Sequence, residues 1–265
     1  MELGLTNKTA LITGGSKGIG KATAYRLSLE GANVAICARN EGNLLKAAEE
    51  IRDQTKGVIL PIVSDICRPD DVSELVKITT EKLGGIDILI NNAGTSSAMP
   101  FEKVNDEEWM YDLDLKLFSA IRLIKAVLPY MRSAGGGRII NITTPAGKAP
   151  GPSSTPTSVS RAAGIALTKA LSKDLAKDNI LVNTVCIGLI KSGQHEDRYQ
   201  KALETEPKLT INEYYERLAQ GRGVPLGRVG EATEAADVIA FLASSNSSYI
   251  TGTSINIDGG TSAVI

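Results

Sequence analysis

Short apolar runs alternate along this chain with longer segments of helical periodicity. Apolar runs of four to six residues are typical of strands buried on both faces, and apolar spacings of three and four residues are typical of amphipathic helices. The alternation predicts a single-domain α/β fold, doubly wound, in which helices flank a seven-stranded parallel sheet over residues 1–265. The predicted strands are Thr9–Thr13, Asn33–Ala38, Val58–Val63, Ile86–Ile90, Arg138–Ile142, Leu181–Cys186 and Ser254–Ile257. The predicted helices lie near residues 18–30, 41–54, 70–83, 106–132, 158–177 and 231–244.

One stretch, residues 189–225, interrupts this rhythm because it has no strand pattern. A segment of that length within a compact domain usually forms a lid or a binding loop with some helix of its own. We therefore expect residues 189–225 to form a substrate lid. The single histidine of the chain, His195, lies in this segment, and we expect it to be a solvated loop residue.

The overall charge narrows the range of partners. The chain has 29 Lys and Arg against 30 Asp and Glu, and no long run of either sign, so nothing favours binding to nucleic acid or to a membrane surface. No stretch approaches the roughly 20 apolar residues that cross a bilayer. The three cysteines are isolated, which favours free thiols in a reducing compartment over disulfides or a metal site. We expect a cytoplasmic protein that binds small molecules and copies of itself, with no metal.

A glycine-rich turn follows the first predicted strand. Gly14, Gly18 and Gly20 lie between that strand and the helix that follows it. Glycines at these positions allow the backbone to approach a pyrophosphate, whose charge the amides at the helix N-terminus stabilise. This context is that of a Rossmann fold, and it predicts a nicotinamide dinucleotide at the carboxyl ends of the strands.

Two cations indicate which dinucleotide is bound. An acidic residue at the end of the second strand would bind the ribose 2′-hydroxyl of NAD, but the strand ends at Arg39, which favours the 2′-phosphate of NADP. Lys17 lies in the glycine turn. Either residue alone could be an ordinary surface cation. Together, with no acidic residue at position 38 or 39, they favour NADP(H) over NAD(H).

Further motifs in the same order resemble the short-chain dehydrogenase/reductase family over nearly the whole chain, and among its members the 3-oxoacyl-carrier-protein reductases. They are Asp65 after the third strand, Asn91–Gly94 after the fourth, and Gly227–Gly230, Tyr249–Gly252 and Asp258–Gly260 near the C-terminus. The resemblance implies an NADP(H)-dependent oxidoreductase that acts on a carbonyl or alcohol substrate as a homotetramer or homodimer. It also implies a set of cofactor-binding residues: Gly14, Ser16, Lys17, Gly18, Ile19, Gly20, Arg39, Asp65, Ile66, Asn91, Ala93, Gly94, Gly188 and Ile190.

The family's catalytic positions are substituted in this sequence. The family uses a Ser, a Tyr, a Lys four residues after the Tyr, and an Asn from the preceding long helix. Thr144 takes the place of the Ser, the family's spacing leads to Thr157 in place of the Tyr, and Arg161 takes the place of the Lys. We assign the position of the Asn to Asp114. No tyrosine lies between residues 131 and 198, so a shifted alignment cannot restore the motif.

These substitutions change the expected chemistry. A threonine hydroxyl is too weak an acid to replace a tyrosine without a strong base beside it. Arg161 stays protonated, so it cannot relay a proton, but it can stabilise a negative oxygen. We predict that Asp114 and Arg161 face each other and form a charge-assisted pair in place of the family's proton-relay water.

Three functions remain open. The first is an oxidoreductase in which Thr144 and Thr157 bind the carbonyl, Arg161 supplies charge, and a water or lid residue supplies the proton. The second is a non-redox lyase or isomerase on the same fold, and the third is a catalytically impaired dinucleotide-binding or partner subunit. We favour the first, because hydride transfer is the simplest use of an NADP site with an open nicotinamide pocket.

The long helix predicted near residues 106–132 bears on assembly. It carries an apolar series suited either to a subunit interface or to its own sheet. The series is Leu113, Leu117, Ile121, Ile124 and Leu128.

Overall fold

The computed structural model describes residues 2–265 and contains one parallel sheet. Its strands are β1 (Thr9–Thr13), β2 (Asn33–Ala38), β3 (Ile59–Val63), β4 (Ile88–Asn91), β5 (Gly137–Thr143), β6 (Ile180–Ile187) and β7 (Ser254–Ile257). They hydrogen-bond in the order β3-β2-β1-β4-β5-β6-β7. The predicted seven-stranded parallel sheet is confirmed.

The helices follow the predicted alternation, with two additions in the segment 189–225. They are α1 (Gly18–Leu29), α2 (Glu41–Thr55), α3 (Pro69–Leu83), α4 (Asp106–Leu113), α5 (Ser119–Ser133), α6 (Thr157–Asp174), α7 (Gly193–Thr205), α8 (Ile211–Gly221) and α9 (Ala232–Ala243). Within residues 2–265, no helix combines the length and the apolar character needed to span a bilayer.

The core lies on both faces of the sheet because successive strand residues point to opposite sides. On β1, Ala10 and Ile12 join one buried cluster with residues of α1, α2 and α9, whereas Leu11 joins another with residues of α3 and α5. Helices therefore cover both faces, as the doubly wound fold requires. Strands covered in this way are buried on both faces, and all five residues of β1 are buried.

The strand order reverses at β1, and this reversal determines where a ligand crevice can form. The chain leaves β1 toward β2 and β3 on one side and then crosses to β4 on the other side. In open α/β sheets, a ligand crevice forms outside the carboxyl ends of the strands at such a reversal. The glycine turn between β1 and α1 lies at this point.

The predicted long helix near residues 106–132 is interrupted. Its first part, α4, begins with a capping box in which Asn105 and Glu108 exchange hydrogen bonds. A π-helical turn, Asp114–Phe118, then separates α4 from α5. Such turns are frequent at functional sites because they change which face of a helix a side chain occupies.

The segment 189–225 holds α7, α8 and most of a small additional core. Tyr215, Ala219 and Val224 form this core together with Val229, which follows the segment. His195 is not the solvated loop residue that we predicted, because it lies half-buried on α7 with its ring 6.5 Å from that of Tyr215. Burial, with smaller contributions from two arginines of this segment, lowers the pKa of His195.

Candidate active site

The turn after β1 forms a cradle that only glycine can build. Gly14 and Gly18 have φ values of +66° and +53°, in the left-handed region. A Cβ atom on Gly20 would lie 2.3 Å from the carbonyl oxygen of Gly14. The N-cap residue of α1, Lys17, makes no side-chain capping bond within the described chain, so the first amides of the helix remain available to an anion. The residues present therefore fit the pyrophosphate of a dinucleotide.

The residues that follow β4 are hydrogen-bonded to the start of this turn. The backbone amides of Asn92 and Ala93 each donate to Thr13 Oγ1 at 3.0 Å, and Asn92 Nδ2 donates to the Thr13 carbonyl oxygen at 2.8 Å. Asn91 instead donates to Asn141 Oδ1 at 2.9 Å, which joins β4 to β5. The motif after β4 thus holds the glycine turn rigidly against the centre of the sheet.

The two predicted phosphate-binding cations are both exposed at the same edge of the sheet. Arg39 follows β2, and its guanidinium donates to the hydroxyl of Tyr111 at 3.3 Å. Nearby, Asp65 Oδ1 accepts the backbone amide of Cys67 at 3.1 Å, which shapes the loop after β3 that includes buried Ile66. Among residues 2–265 neither Arg39 nor Lys17 forms a direct ion pair, although the charge of Asp65 acts on Arg39. Both cations are therefore available to a ligand phosphate.

On the other side of the turn, Gly188 and Ile190 begin the segment after β6. A Cβ atom on Gly188 would lie 2.5 Å from Asp258 Cβ, so the close approach of this loop to the end of β7 requires glycine. Ile190 forms a parallel bridge with Gly230 and is 5% exposed. These contacts fix the chain where it leaves the sheet beside the cofactor cradle.

Thr157, the first residue of α6, holds its hydroxyl in a defined orientation. Its Oγ1 accepts two hydrogen bonds of 3.0 Å, one from Lys116 Nζ and one from the backbone amide of Ser97. A hydroxyl has two acceptor lone pairs and one donor hydrogen. Both lone pairs are occupied, so the hydrogen of Thr157 is left to donate to another partner.

Behind Thr157 lies a buried ionic cluster that was not predicted from the sequence. Lys116, in the π-helical turn, has a fully buried side chain, and its Nζ contacts Asp112 Oδ1 as well as Thr157. The other carboxylate oxygen of Asp112 accepts a 2.6 Å hydrogen bond from Ser160 Oγ. Asp112 is therefore bonded through both oxygens while buried, as a charged group in a protein interior must be.

Arg161 lies next to this cluster, also on α6. Its Nη1 donates to the carbonyl oxygen of Ile142 at 2.7 Å, and its Nη2 lies against Gly94, where a Cβ atom would approach it to 2.6 Å. Burial lowers the pKa of Arg161 to about 10, and the charge of Asp112 acts in the opposite direction. Arg161 is therefore a cation at neutral pH, directed toward the end of β4.

Burial also acts on Lys116, and there it brings the pKa close to neutral pH. It lowers the pKa of Lys116 to about 8, assisted by the charge of Arg161 and opposed by the hydrogen bond and charge of Asp112. Two cations and one carboxylate leave the cluster with an excess positive charge. In a site shielded from water, such an excess stabilises a negative oxygen.

Thr144 lies at the end of β5, where the chain turns toward α6. Its Oγ1 accepts the backbone amide of Ala146 at 3.1 Å, which caps the short turn Pro145–Gly147. This turn packs on α6, since a Cβ atom on Gly147 would lie 2.9 Å from the carbonyl carbon of Arg161. Thr144 keeps its hydroxyl hydrogen for another acceptor.

The predicted pair of Asp114 and Arg161 is wrong. Asp114 Oδ1 instead accepts a 2.6 Å bond from Arg122 on the partly exposed side of the helix, and no ion pair within residues 2–265 joins it to Arg161. Residues two apart on a helix point to nearly opposite sides, so Asp112 and Lys116 can line the site only if Asp114 does not. The sequence did contain a signal for the true pair, because Asp112 and Lys116 have the i,i+4 spacing of a helical ion pair.

The comparison with known proteins assigns the chain to a family. The family model for short chain dehydrogenase matches residues 8–202. The chain is 37% identical over 259 residues to the 3-oxoacyl-acyl-carrier-protein reductase FabG of Thermotoga maritima, covering 97% of this chain and 98% of that protein. It is 36% identical to dehydrogenase/reductase SDR family member 4 of Caenorhabditis elegans, covering 97% and 95%. The chain belongs to the short-chain dehydrogenase/reductase family. The predicted family is confirmed.

Solved structures of this family superpose on the chain over almost its whole length. L-sorbose reductase from Gluconobacter frateurii, complexed with NADPH and L-sorbose, has a TM-score of 0.94 at 30% identity and covers 100% of both chains. An NADPH-bound short chain oxidoreductase from Pseudomonas aeruginosa PAO1, described as containing an atypical catalytic center, has a TM-score of 0.92 at 34% identity and covers 99% of both. Both relatives hold NADPH, the cofactor that Arg39 and Lys17 predict.

Proposed function

We propose that this chain is an NADP(H)-dependent oxidoreductase that interconverts a carbonyl and an alcohol through a substituted site containing Thr144, Thr157 and Arg161. The observation that carries the proposal is the hydroxyl of Thr157, which two donors hold with its own hydrogen left to donate. Next to it, Arg161 supplies positive charge at the carboxyl ends of the strands. A carbonyl oxygen that gains negative charge on reduction needs these two features.

The cofactor would occupy the crevice at the strand reversal. Gly14, Ser16, Gly18, Ile19 and Gly20 would surround its pyrophosphate, and Arg39 and Lys17 would bind its 2′-phosphate. Asp65 and Ile66 would contact the adenine side; Asn91, Ala93 and Gly94 the ribose side; and Gly188 and Ile190 the nicotinamide side. When bound, NADPH supplies the hydride that reduces the carbonyl carbon.

The side chains of the protein then orient and polarise the substrate. Thr157 donates its free hydrogen to the substrate oxygen, and Thr144 donates a second hydrogen bond. Arg161, with an edge of its guanidinium against Gly94, stabilises the negative charge that develops on that oxygen. Asp114 has no part in this arrangement, because its carboxylate is bound to Arg122.

The segment 189–225 is proposed as the substrate lid. Its first helix, α7, reaches the loop after β4 through a hydrogen bond from Gln194 Nε2 to Thr95 Oγ1. Ser192 approaches the glycine turn, since a Cβ atom on Gly18 would lie 3.4 Å from its Cα. The segment therefore borders both halves of the crevice, where a lid can exclude water from the reaction.

A cofactor titration followed by a substrate panel tests this function. We expect NADPH to bind and to be oxidised with at least one of 3-oxoacyl thioesters, diketones, aldehydes and ketoses such as L-sorbose. The reverse reaction is measured with NADP and cyclic alcohols. Binding without turnover across the panel would contradict the proposal and support a dinucleotide-binding subunit. Substrate conversion without net change of NADPH would support a lyase or isomerase.

Cofactor choice gives a first prediction. NADPH should bind more tightly than NADH, and Arg39→Asp should reverse the order, because a guanidinium–phosphate bond is replaced by carboxylate repulsion. A charge-assisted hydrogen bond contributes about 1.5–3 kcal/mol, which corresponds to roughly 10- to 100-fold in affinity. Isothermal titration calorimetry measures both constants. The matched control is Lys82→Asp, a charge reversal on an exposed residue of α3, which should leave the ratio unchanged. Equal affinities of the parent protein for NADPH and NADH would contradict the assignment of Arg39 and Lys17 to the 2′-phosphate.

Assembly gives a second prediction. The apolar series runs from α4 through the π-helical turn to α5. Ile124 is buried in the chain's own core, and Leu128 packs partly against it, whereas Leu113, Leu117 and Ile121 are also partly accessible. We propose that this accessible part forms the interface of a homotetramer or homodimer. Light scattering at micromolar concentration should give a multiple of the mass of one chain, and Ile121→Glu should reduce it. A monomeric parent protein would show that the series only packs on its own sheet.

A further inference from the structure

The buried amine of Lys116 is placed to exchange a proton with Thr157. Its Nζ lies 3.0 Å from Thr157 Oγ1, and the Thr157 hydroxyl is the group that faces the substrate in the proposed function. Charged groups face Lys116 from two helices: Asp112 from α4 and Arg161 from α6. From α6 it also meets the hydroxyl of Thr157, while Ser160 binds the far side of Asp112. Neither threonine hydroxyl in the site is acidic enough to act without such a partner.

We propose that Lys116 is the source of the proton that the substrate oxygen takes up on reduction, and that the hydroxyl of Thr157 relays it. The inference rests on the proposed function and deepens it by naming the proton donor. It replaces the water or lid residue expected from the sequence. It also gives Asp112 and Ser160 a role as positioning residues, since they hold the amine against Thr157.

The proton transfer balances with NADPH as the hydride donor and with solvent as the final source of the proton, which Lys116 must regain before the next turnover. The carbonyl carbon accepts a hydride, and its oxygen takes the hydrogen of Thr157, so that one O–H bond forms and one breaks. Thr157 Oγ1 takes a proton from the Lys116 ammonium, which becomes a neutral amine. The alkoxide of Thr157 need not accumulate if the two transfers are concerted. In the oxidation direction the neutral amine accepts the proton by the same route.

Lys116 suits this task better than Arg161 does. Arg161 binds the carbonyl oxygen of Ile142, and no hydrogen bond within residues 2–265 joins it to Thr157. A general acid is most effective when its pKa is close to the working pH, and that of Lys116 is about 8, whereas Arg161 remains a cation throughout the neutral range. Arg161 can therefore supply charge while Lys116 supplies the proton.

The pH dependence in both directions tests the proposal. Reduction needs the ammonium, so its rate should fall as the pH rises through about 8, and oxidation needs the amine, so its rate should rise over the same interval. Lys116→Met should lower kcat by about 10²- to 10⁴-fold and abolish both limbs of the pH profile, the fall in reduction and the rise in oxidation. The control is Lys173→Met, which removes an exposed ammonium at the end of α6 and should keep the parent profile.

A second variant and a direct titration test the proposal even if Lys116→Met does not fold. Asp112→Asn keeps a hydrogen-bond acceptor but removes the charge that favours the ammonium, so both limbs should move to lower pH. In the parent protein, the ¹³Cε resonance of Lys116, assigned by its loss in Lys116→Met or by its shift in Asp112→Asn, should titrate near pH 8 rather than near the ordinary value for lysine. This measurement needs neither cofactor nor substrate.

The possible failures are distinguishable. If the parent protein binds NADPH but turns over nothing in the panel, the proposed function fails and this inference fails with it. If the parent protein turns over a substrate but Lys116→Met keeps its rate and its pH limbs, only the assignment of the proton to Lys116 fails. A ¹³Cε resonance that titrates near the ordinary lysine pKa, with limbs unmoved in Asp112→Asn, would overturn it equally.

Discussion

Replacing Asp112 with alanine is expected to lower the free energy of unfolding by about 3–5 kcal/mol, because it leaves buried positive charge without its counter-ion. The carboxylate is 1% exposed and binds Lys116 through one oxygen and Ser160 through the other. Without it, Lys116 and Arg161 would face each other in the interior with no carboxylate between them. Denaturation by urea, followed by circular dichroism, measures the loss.

Two variants serve as controls for this prediction. Asp114→Ala removes a carboxylate from the same helix, but the pair that Asp114 forms with Arg122 is about 30% exposed on both sides, so the loss should be no more than about 1 kcal/mol. Asp112→Asn should cost less than Asp112→Ala, because the amide oxygen still accepts a hydrogen bond. Equal losses for alanine at positions 112 and 114 would show that the buried cluster does not need its carboxylate.

The fold could be predicted from the sequence because its signals are local. Three of the strands, β1, β2 and β7, begin and end at the predicted residues. The interiors of β1 and β2 are continuous apolar runs because helices cover both faces of the sheet there. The start of α2 follows from Asn40, whose side chain accepts the amide of Asn43. The glycine turn was equally readable, because its glycines, the strand before it and the helix after it lie within 21 residues of sequence.

The buried ionic cluster was harder to predict because its members come from distant elements. Lys116 and Thr157 are 41 residues apart, and the amide of Ser97 is 60 residues from Thr157. The run Asp112 to Lys116 contains two carboxylates, and the spacing of the family's motifs does not by itself say which one faces the site. The rotation of the helix determines which side chain faces the site, and the π-helical turn at Asp114–Phe118 places Lys116 on the inner side. Periodicity alone did not indicate that turn.

The helices of residues 189–225 illustrate a different limit. This segment is polar, and α8 begins with a capping box between Thr210 and Glu213, which was visible in the sequence. Its small core, however, forms only when Tyr215 and Ala219 meet Val229 from beyond the helix. Burial of His195 depends on the same contacts, so its environment could not be read from its polar neighbours in the sequence.

Thr157→Val is expected to lower kcat by about 10²- to 10⁴-fold while the chain stays folded and still binds NADPH. Valine has nearly the shape of threonine but lacks the hydroxyl that, in the proposed function, bonds the substrate oxygen. The variant also leaves the amide of Ser97 and the ammonium of Lys116 without their shared acceptor, which costs about 1–3 kcal/mol of stability. Steady-state kinetics on a substrate from the panel, with a thermal melt of each variant, separates the two effects.

The matched control for this change lies one residue further along α6. Ser158 is buried like Thr157, and its hydroxyl accepts a 3.1 Å hydrogen bond from Ser154, on the loop before the helix rather than in the ionic cluster. Ser158→Ala removes a buried hydroxyl at the same helix N-terminus and should leave kcat at the parent value. If Thr157→Val lost no more activity than Ser158→Ala, the hydroxyl of Thr157 would not touch the reacting oxygen. A rise in KM at constant kcat would assign it to substrate binding alone, because only interactions that strengthen in the transition state lower the barrier.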